Sequence, residues 1–408
     1  MISEGVPAYC GTDHVLDLRA RNLKKPQMEE FTNVHYVALW GFGIAAVFGF
    51  VANKTHFCVM GAISDVIHMG SKGRLGAWLL AIGIAVLGTQ ALQLTGVIDV
   101  GESRYLGPNF MWLSYLVGGL LFGIGMTLAA GCGQRNLVRF GAGNLKAFVV
   151  VLVMGVSAYM TLRGLFGVVR VNLVDPVSVD LAVHGLANQS MVSAVQSLSG
   201  IDNADLIRGL LTALIGGGLL AYALKQRTLR ESMDNILAGV VIGACVIAGW
   251  YVTGFLGVDD FDPVPVESMS FISSTGNTVN YLMSFTGSTV NFGIAAVVGM
   301  IAGSFVYAVI SGNFRVETFS NRSEMVSHLV GGALMGFGGV LSVGCTIGQG
   351  VTGMSSLAMG SLLATVAIVF GSALTMKVEY YLLDEMSFGQ ALAMALADLV
   401  VPGRSESA

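Results

Sequence analysis

The chain alternates long apolar runs with short polar breaks. Runs long enough to cross a bilayer as a helix, ~20 residues, occur at about 34–52, 75–97, 111–131, 146–168, 206–224, 236–255, 289–311, 325–344 and 361–382. This pattern predicts nine transmembrane helices. Four further segments, 55–69, 133–145, 270–287 and 346–359, are apolar but too short to cross. Lipid cannot satisfy the backbone polar groups of a chain that ends part-way through it, so such pieces must line a cavity or pack inside protein. They are expected to be re-entrant or broken helices. The stretch 386–401, with FGQALAMALADLVV from Phe388, reads as an interfacial helix leading into a tail that runs to residue 408.

Composition settles the class. Charged residues make up 11% of the chain and hydrophobic ones 54%, with a mean hydropathy of +0.73. A soluble globular protein carries about a quarter charged residues. So few charges cannot dress a soluble surface, and the expected fold is an all-α polytopic membrane protein. The 55 glycines agree, because small residues let membrane helices approach closely. A net charge of −4 points to no acidic or basic partner, and nucleic acid is not expected. Five cysteines without a CxxC pair make no disulfide framework. Residues 1–33 differ from the rest: Asp13, Asp17, Arg19, Arg21, Lys24, Lys25, Glu29 and Glu30 crowd a polar tail with no apolar core of a signal peptide. Cys10, within it, reads as incidental.

Lysine and arginine placement predicts orientation. The loops after spans one, three, five and seven, with the C-terminus, hold Lys54, Lys72, Arg74, Arg135, Arg139, Lys146, Lys225, Arg227, Arg230, Arg315, Arg322, Lys377 and Arg404. The opposite loops hold Arg104, Arg163, Arg170 and Arg208 among six acidic residues. The positive-inside rule makes the first set cytoplasmic. This puts the N-terminus outside, although Arg19 to Lys25 weigh mildly against it.

An internal repeat predicts the architecture. LVGGLLFGIGMTLAAGC (Leu116 to Cys132) aligns without a gap onto LVGGALMGFGGVLSVGC (Leu329 to Cys345). The shared glycines could reflect generic helix packing, but that cause would not repeat the terminal Gly-Cys pair. Span three thus corresponds to span eight, five crossings later. An odd displacement inverts orientation, so two inverted-topology repeats are expected, 34–205 and 206–385, with 386–408 as appendage. Substrate sites in such proteins lie near the midplane, framed by interrupted helices.

Cys58, Cys132 and Cys345 each sit at the end of a span or in the short segment after it. Cys245, in the middle of span six, reads as a packing residue, since free cysteine commonly behaves as a small buried hydrophobe. A neutral thiol is a weak donor and weak acceptor, and conduction needs sites strong enough to enter yet weak enough to leave. A file of thiols therefore suits a soft anion such as thiosulfate. The turns around Gly131, Gly133 and Gln134, and around Gly344, Thr346, Gly348 and Gln349, would add backbone N–H groups and helix N-termini. Few fixed cations are expected at the centre. His56, Asp65 and His68 flank Cys58 without forming a convincing metal site, and no cofactor is expected. No ionisable residue lies securely within a span to suggest proton coupling. GIGMTLAAG precedes no Lys-Ser/Thr and is not a nucleotide loop.

FGFVANKTHFCVMGAISD, GLLFGIGMTLAAGCG and GALMGFGGVLSVGCTIGQG resemble the three cysteine motifs of the YeeE/YedE sulfur-transport family, and Ala296 to Glu317 resembles the family's second-half span and the loop after it. The resemblance covers roughly residues 38–380. It implies thiosulfate uptake across the bacterial inner membrane, nine spans with re-entrant helices, and Cys58, Cys132 and Cys345 as the thiols that contact the anion. It also implies association with a small soluble TusA-like sulfur-carrier protein. VLDLRARNLKKP faintly resembles the start of such a carrier, but lacks its cysteine and is far too short. Ala130 and Val343 stand where relatives often have a second glycine, so bulkier turns are expected. Two other readings remain: a permease for another sulfur or selenium species, and a membrane sulfurtransferase forming a persulfide. The latter needs a cation beside the thiol; Arg135 lies three residues after Cys132, whereas Cys345 and Cys58 show no arginine nearby in sequence.

Overall fold

A computed structural model describes residues 33–200, 203–259 and 264–400. The polar tail with Cys10, the loop residues Asp260 and Asp262, and the end of the chain including Arg404 lie outside the described residues. Among the described residues, nine helical stretches are long and apolar enough to cross a membrane, by length and composition. They are α1 (Asn33–Lys54), continued by the short α2 (Val59–Met69); α3 (Gly73–Leu94); α4 (Trp112–Leu128), continued by α5 (Gly133–Gly141); α6 (Leu145–Arg163); α7 (Ala204–Lys225) and α8 (Met233–Leu256); and, after the short α9 (Ile272–Met283), α10 (Phe292–Ile310), α11 (Arg322–Leu341) and α12 (Met359–Leu383). All nine expected spans have their helix. The four short segments are α2, α5, α9 and a π-helical turn over Gly348–Gly353. The fourth span ends earlier than its apolar run, because Gly164 leaves the helical region at φ −111 and ψ −154.

Helix starts follow their polar residues. Asn144, Asn291 and Asn321 cap α6, α10 and α11, accepting from Ala147 N at 2.9 Å, Ile294 N at 2.9 Å and Glu324 N at 2.7 Å. The C-terminal α13 (Phe388–Val400) packs Ala391 and Ala395 against α12. An ion pair from Lys377 Nζ to Asp398 Oδ2 at 3.2 Å joins the two helices. One strand pair, Asn109–Phe110 with Val179–Asp180, ties two loops together.

Close backbone approaches come in matched sets. A Cβ built on Gly118 of α4 would lie 2.8 Å from Gly338 O of α11, and one on Gly338 would lie 2.6 Å from Gly118 O. Gly125 and Gly331 meet in the same reciprocal way, each 2.7 Å from the other's carbonyl. As residue numbers rise along α4 they fall along α11, so these helices run antiparallel. Gly119 and Gly123 press α4 on α12, 2.8 Å from Ala364 O and 2.3 Å from Ile368 O. Gly332 and Gly336, their counterparts in the repeated sequence, press α11 on α6, 3.1 Å from Val150 O and 2.4 Å from Met154 O. Likewise α1 runs parallel to α10 through Gly299 and Gly303, and α3 runs parallel to α8 through Gly239 and Gly243. Helices with little hydrophobic drive to associate in lipid gain their cohesion from this backbone contact. Cys245 belongs to the same packing: it is buried on α8, with Sγ 3.7 Å from Ile44 O of α1.

Candidate substrate site

Three of the breaks share one backbone turn. His56, Ala130 and Val343 take φ of 51°, 51° and 60°. The next residue in each case bonds back five positions: Phe57 N to Ala52 O at 3.1 Å, Gly131 N to Met126 O at 2.9 Å and Gly344 N to Gly339 O at 2.8 Å. This left-handed stop satisfies carbonyls at the helix end and is followed each time by a cysteine. Cys58 then caps α2, its Sγ accepting from Gly61 N at 3.3 Å. Cys345 Sγ accepts from Gly348 N, also at 3.3 Å. Cys132 precedes α5 without capping it. The expected bulk at Ala130 and Val343 is thus accommodated by backbone strain, about 1–2 kcal/mol for a non-glycine residue in this region.

The turns converge. The Cys58 and Cys132 thiols are adjacent, and the Thr346 hydroxyl lies beside Cys132, so the residue following Cys345 reaches the first pair. All three cysteines are buried. Gln134 Oε1 stands 3.9 Å from Cys132 Sγ. The supporting residues have distinct tasks. Gly131 O and Cys132 O accept from Asn136 Nδ2 at 2.8 and 3.2 Å. At the corresponding place Gln349 Nε2 donates to Ser342 O. A Cβ on Gly133 would lie 2.6 Å from Ile272 Cδ1, one on Gly344 3.0 Å from Gln349 N, and one on Gly348 2.8 Å from Ser270 Oγ.

Around this cluster the buried atoms Gln134 Nε2, Gln349 Oε1, Asn136 Oδ1 and one guanidinium nitrogen of Arg135 have no hydrogen-bond partner among the described residues. Trp78 Nε1, whose ring abuts Gly350, is in the same position. Each such group costs about 1–3 kcal/mol if left dry. Their concentration beside the thiols marks a place for a polar ligand or water.

A cavity lies toward each end of the cluster. One of about 360 Å³ is lined by Asn53, His56 and Tyr307, at the C-terminal ends of α1 and α10, and by arginines. Another of about 260 Å³ is lined by Val34 and Phe292, at the N-terminal ends of the same helices, with Arg104 and Glu267. Near the second, the Tyr105 hydroxyl lies beside the Ser270 side chain, and its oxygen would be 3.5 Å from a Cβ on Gly348. Burial pushes the Tyr105 phenol well above its ordinary range. Burial also raises the Glu267 carboxyl, against the opposing pull of the Arg104 guanidinium paired with it.

One expectation about charge is corrected. Arg135 and Arg74 both act on Cys58, Arg74 reaching across Gly61 with a guanidinium nitrogen 2.9 Å from where a Cβ would stand. Neither was visible in linear spacing, because folding back α2 and α5 is what brings these side chains to the thiols. Asp65 pairs with Arg74 at 3.5 Å, and the His68 ring packs near Tyr380. No group of three or more His, Cys, Asp or Glu that could hold a metal occurs among the described residues. Trp78, Tyr105 and Ser270 were not foreseen. Ser270 carried a usable signal, since it stands just before short α9 much as Cys58 stands before α2.

The model of the family described as Sulphur transport matches residues 54–374. The chain belongs to the sulphur transport family. Two relatives match most of the chain: the thiosulfate transporter TsuA of Escherichia coli (strain K12) is 26% identical over 345 residues, 82% of this chain and 92% of its own. The thiosulfate transporter TsuA of Spirochaeta thermophila (strain ATCC 700085 / DSM 6578 / Z-1203) is 26% identical over 344 residues, covering 82% and 97%. Family membership and the nine apolar helices among the described residues together make this a multi-pass membrane protein of sulphur transport.

Proposed function

We propose that the chain imports thiosulfate across the bacterial inner membrane as an intact anion, past Cys58, Cys132 and Cys345. The observation that carries this is the arrangement of the thiols: a buried set drawn from three separate turns, between two cavities at opposite ends of α1 and α10. Weak S–H contacts hold a soft sulfur without trapping it. The unpaired Gln134 and Trp78 donors are suited to the oxyanion end. Both relatives are named for thiosulfate. The matched contacts of Gly118 with Gly338, Gly125 with Gly331, and the Gly119 and Gly332 pairs support two inverted repeats over 34–205 and 206–385, with 386–408 appended. A TusA-like carrier would dock on the lysine- and arginine-rich face; failure of a pull-down, with and without thiosulfate, would remove that partner.

The test is growth on thiosulfate of a sulfur-auxotrophic bacterium lacking its own thiosulfate uptake. Wild type and Cys245→Ala are expected to rescue, and Cys132→Ala to fail at equal membrane expression. Equal rescue by all three would end the thiol argument. No rescue by well-expressed wild type would point to another sulfur or selenium anion. A persulfide found on Cys58 or Cys132 by mass spectrometry after exposure would favour the sulfurtransferase.

A further inference from the structure

The larger cavity contains charges that the thiol set does not account for. Its walls carry Arg135 and Arg139 of α5, Arg315 of the loop after α10, His56 and Glu317. Three guanidiniums thus face one carboxylate, a surplus of two positive charges. The loop bearing Arg315 and Glu317 is pinned over the α5–α6 turn. Arg315 N donates to Ala142 O at 3.2 Å and Leu145 N donates to Glu317 O at 3.0 Å. Asn144 Nδ2 donates to Glu317 Oε2 at 2.5 Å, which holds that carboxylate to the turn. One nitrogen of Arg135 is buried with no partner among the described residues. Arg139 donates to Ala130 O at 3.2 Å, linking the cavity wall to the turn before Cys132.

We infer that this cavity is an oxyanion-binding vestibule, which takes a divalent anion of sulfate or thiosulfate shape directly beside the Cys58–Cys132 pair. Planar guanidiniums match the oxygen face of such anions, and charge-assisted N–H bonds are the strong ones. Continuity with the thiols is built into the chain: His56 lies two residues before Cys58 and Arg135 three after Cys132. A soft sulfur held weakly by thiols can therefore pass its oxyanion end to arginine. Glu317 keeps the site from becoming a trap, since a passage site must also release. The transported anion's identity rests on the proposed function; the vestibule itself does not.

The test is equilibrium binding of radiolabelled sulfate and thiosulfate to the full chain in lipid nanodiscs. Arg315→Gln is expected to weaken binding of both anions about tenfold, the equivalent of ~1.4 kcal/mol, with partial recovery in Arg315→Lys. Arg315 makes only a backbone contact with the turn, so its variants are expected to fold; size-exclusion profiles check this. Cys245→Ala, on α8 and outside the cavity lining, is expected to retain the binding of both anions. Wild-type affinity for both anions in Arg315→Gln and Arg135→Gln, or no sulfate binding by wild type, would each overturn the vestibule. If wild type carries no thiosulfate but sulfate binding still falls in Arg315→Gln, the thiosulfate reading fails and the vestibule stands.

Discussion

Ala130 and Val343 occupy the same left-handed conformation, at φ 51° and 60°, each two residues before a buried cysteine. The strain at these positions is expected to be recoverable. Val343→Gly should raise the heat-unfolding midpoint in detergent, by a net gain of about 1 kcal/mol, because a β-branched residue resists this region most and glycine returns only part of the gain as unfolded-chain entropy. Ala130→Gly should gain less. A drop in midpoint for Val343→Gly would mean that valine's side-chain contacts outweigh its backbone strain.

Gly303 offers a steeper contrast. A Cβ there would sit 1.8 Å from Ala46 O, with neighbouring backbone atoms at 2.6 and 2.8 Å. Neither helix backbone can yield that much, so Gly303→Ala must force α1 and α10 apart and is expected to cost several kcal/mol, as overpacking does at its upper end. A Cβ on Gly209 of α7 would meet nothing within 4 Å, and Gly209→Ala should be neutral or gain up to about 1 kcal/mol of helix propensity. Thermal denaturation with a fluorescent thiol dye would separate them; equal midpoints would refute the packing argument.

Adjacency of Cys58 and Cys132 predicts a redox sensitivity. Mild oxidation with copper phenanthroline should join the two thiols, block transport, and be reversed by dithiothreitol. Peptide mapping would show the bridged pair in wild type, and Cys245→Ala should behave identically. Oxidised protein that transports normally while carrying the bridge would exclude passage between these thiols.

Glu267 sets a pH dependence. Burial raises its folded-state carboxyl above the ordinary value of 4.5, so the folded protein keeps this proton to a higher pH than the unfolded chain. Its contribution to stability is then greatest below 4.5 and declines as pH rises through the window up to the raised folded value. Glu267→Gln should therefore stabilise the protein at neutral pH and flatten the unfolding midpoint across that window. A destabilised Gln variant at neutral pH would mean that the pairing with Arg104 outweighs the cost of burial.

Much of this molecule was legible along the chain. Nine apolar runs became nine helices, and the short runs 55–69, 133–145 and 270–287 became α2, α5 and α9, because lipid imposes length and hydropathy on any segment that crosses it. The recurrence of Gly131–Cys132 as Gly344–Cys345 picked out the turns, since only a repeated backbone requirement preserves such a pair. Linear order could not place Arg74 and Arg135 beside Cys58, Thr346 beside Cys132, or Ser270 and Tyr105 near Gly348. Those neighbours lie far apart in sequence and carry no periodic signal; they meet only when re-entrant helices fold back between packed spans. Hydropathy therefore determined what crosses the membrane, and tertiary packing alone decided which charges and hydroxyls surround the thiols.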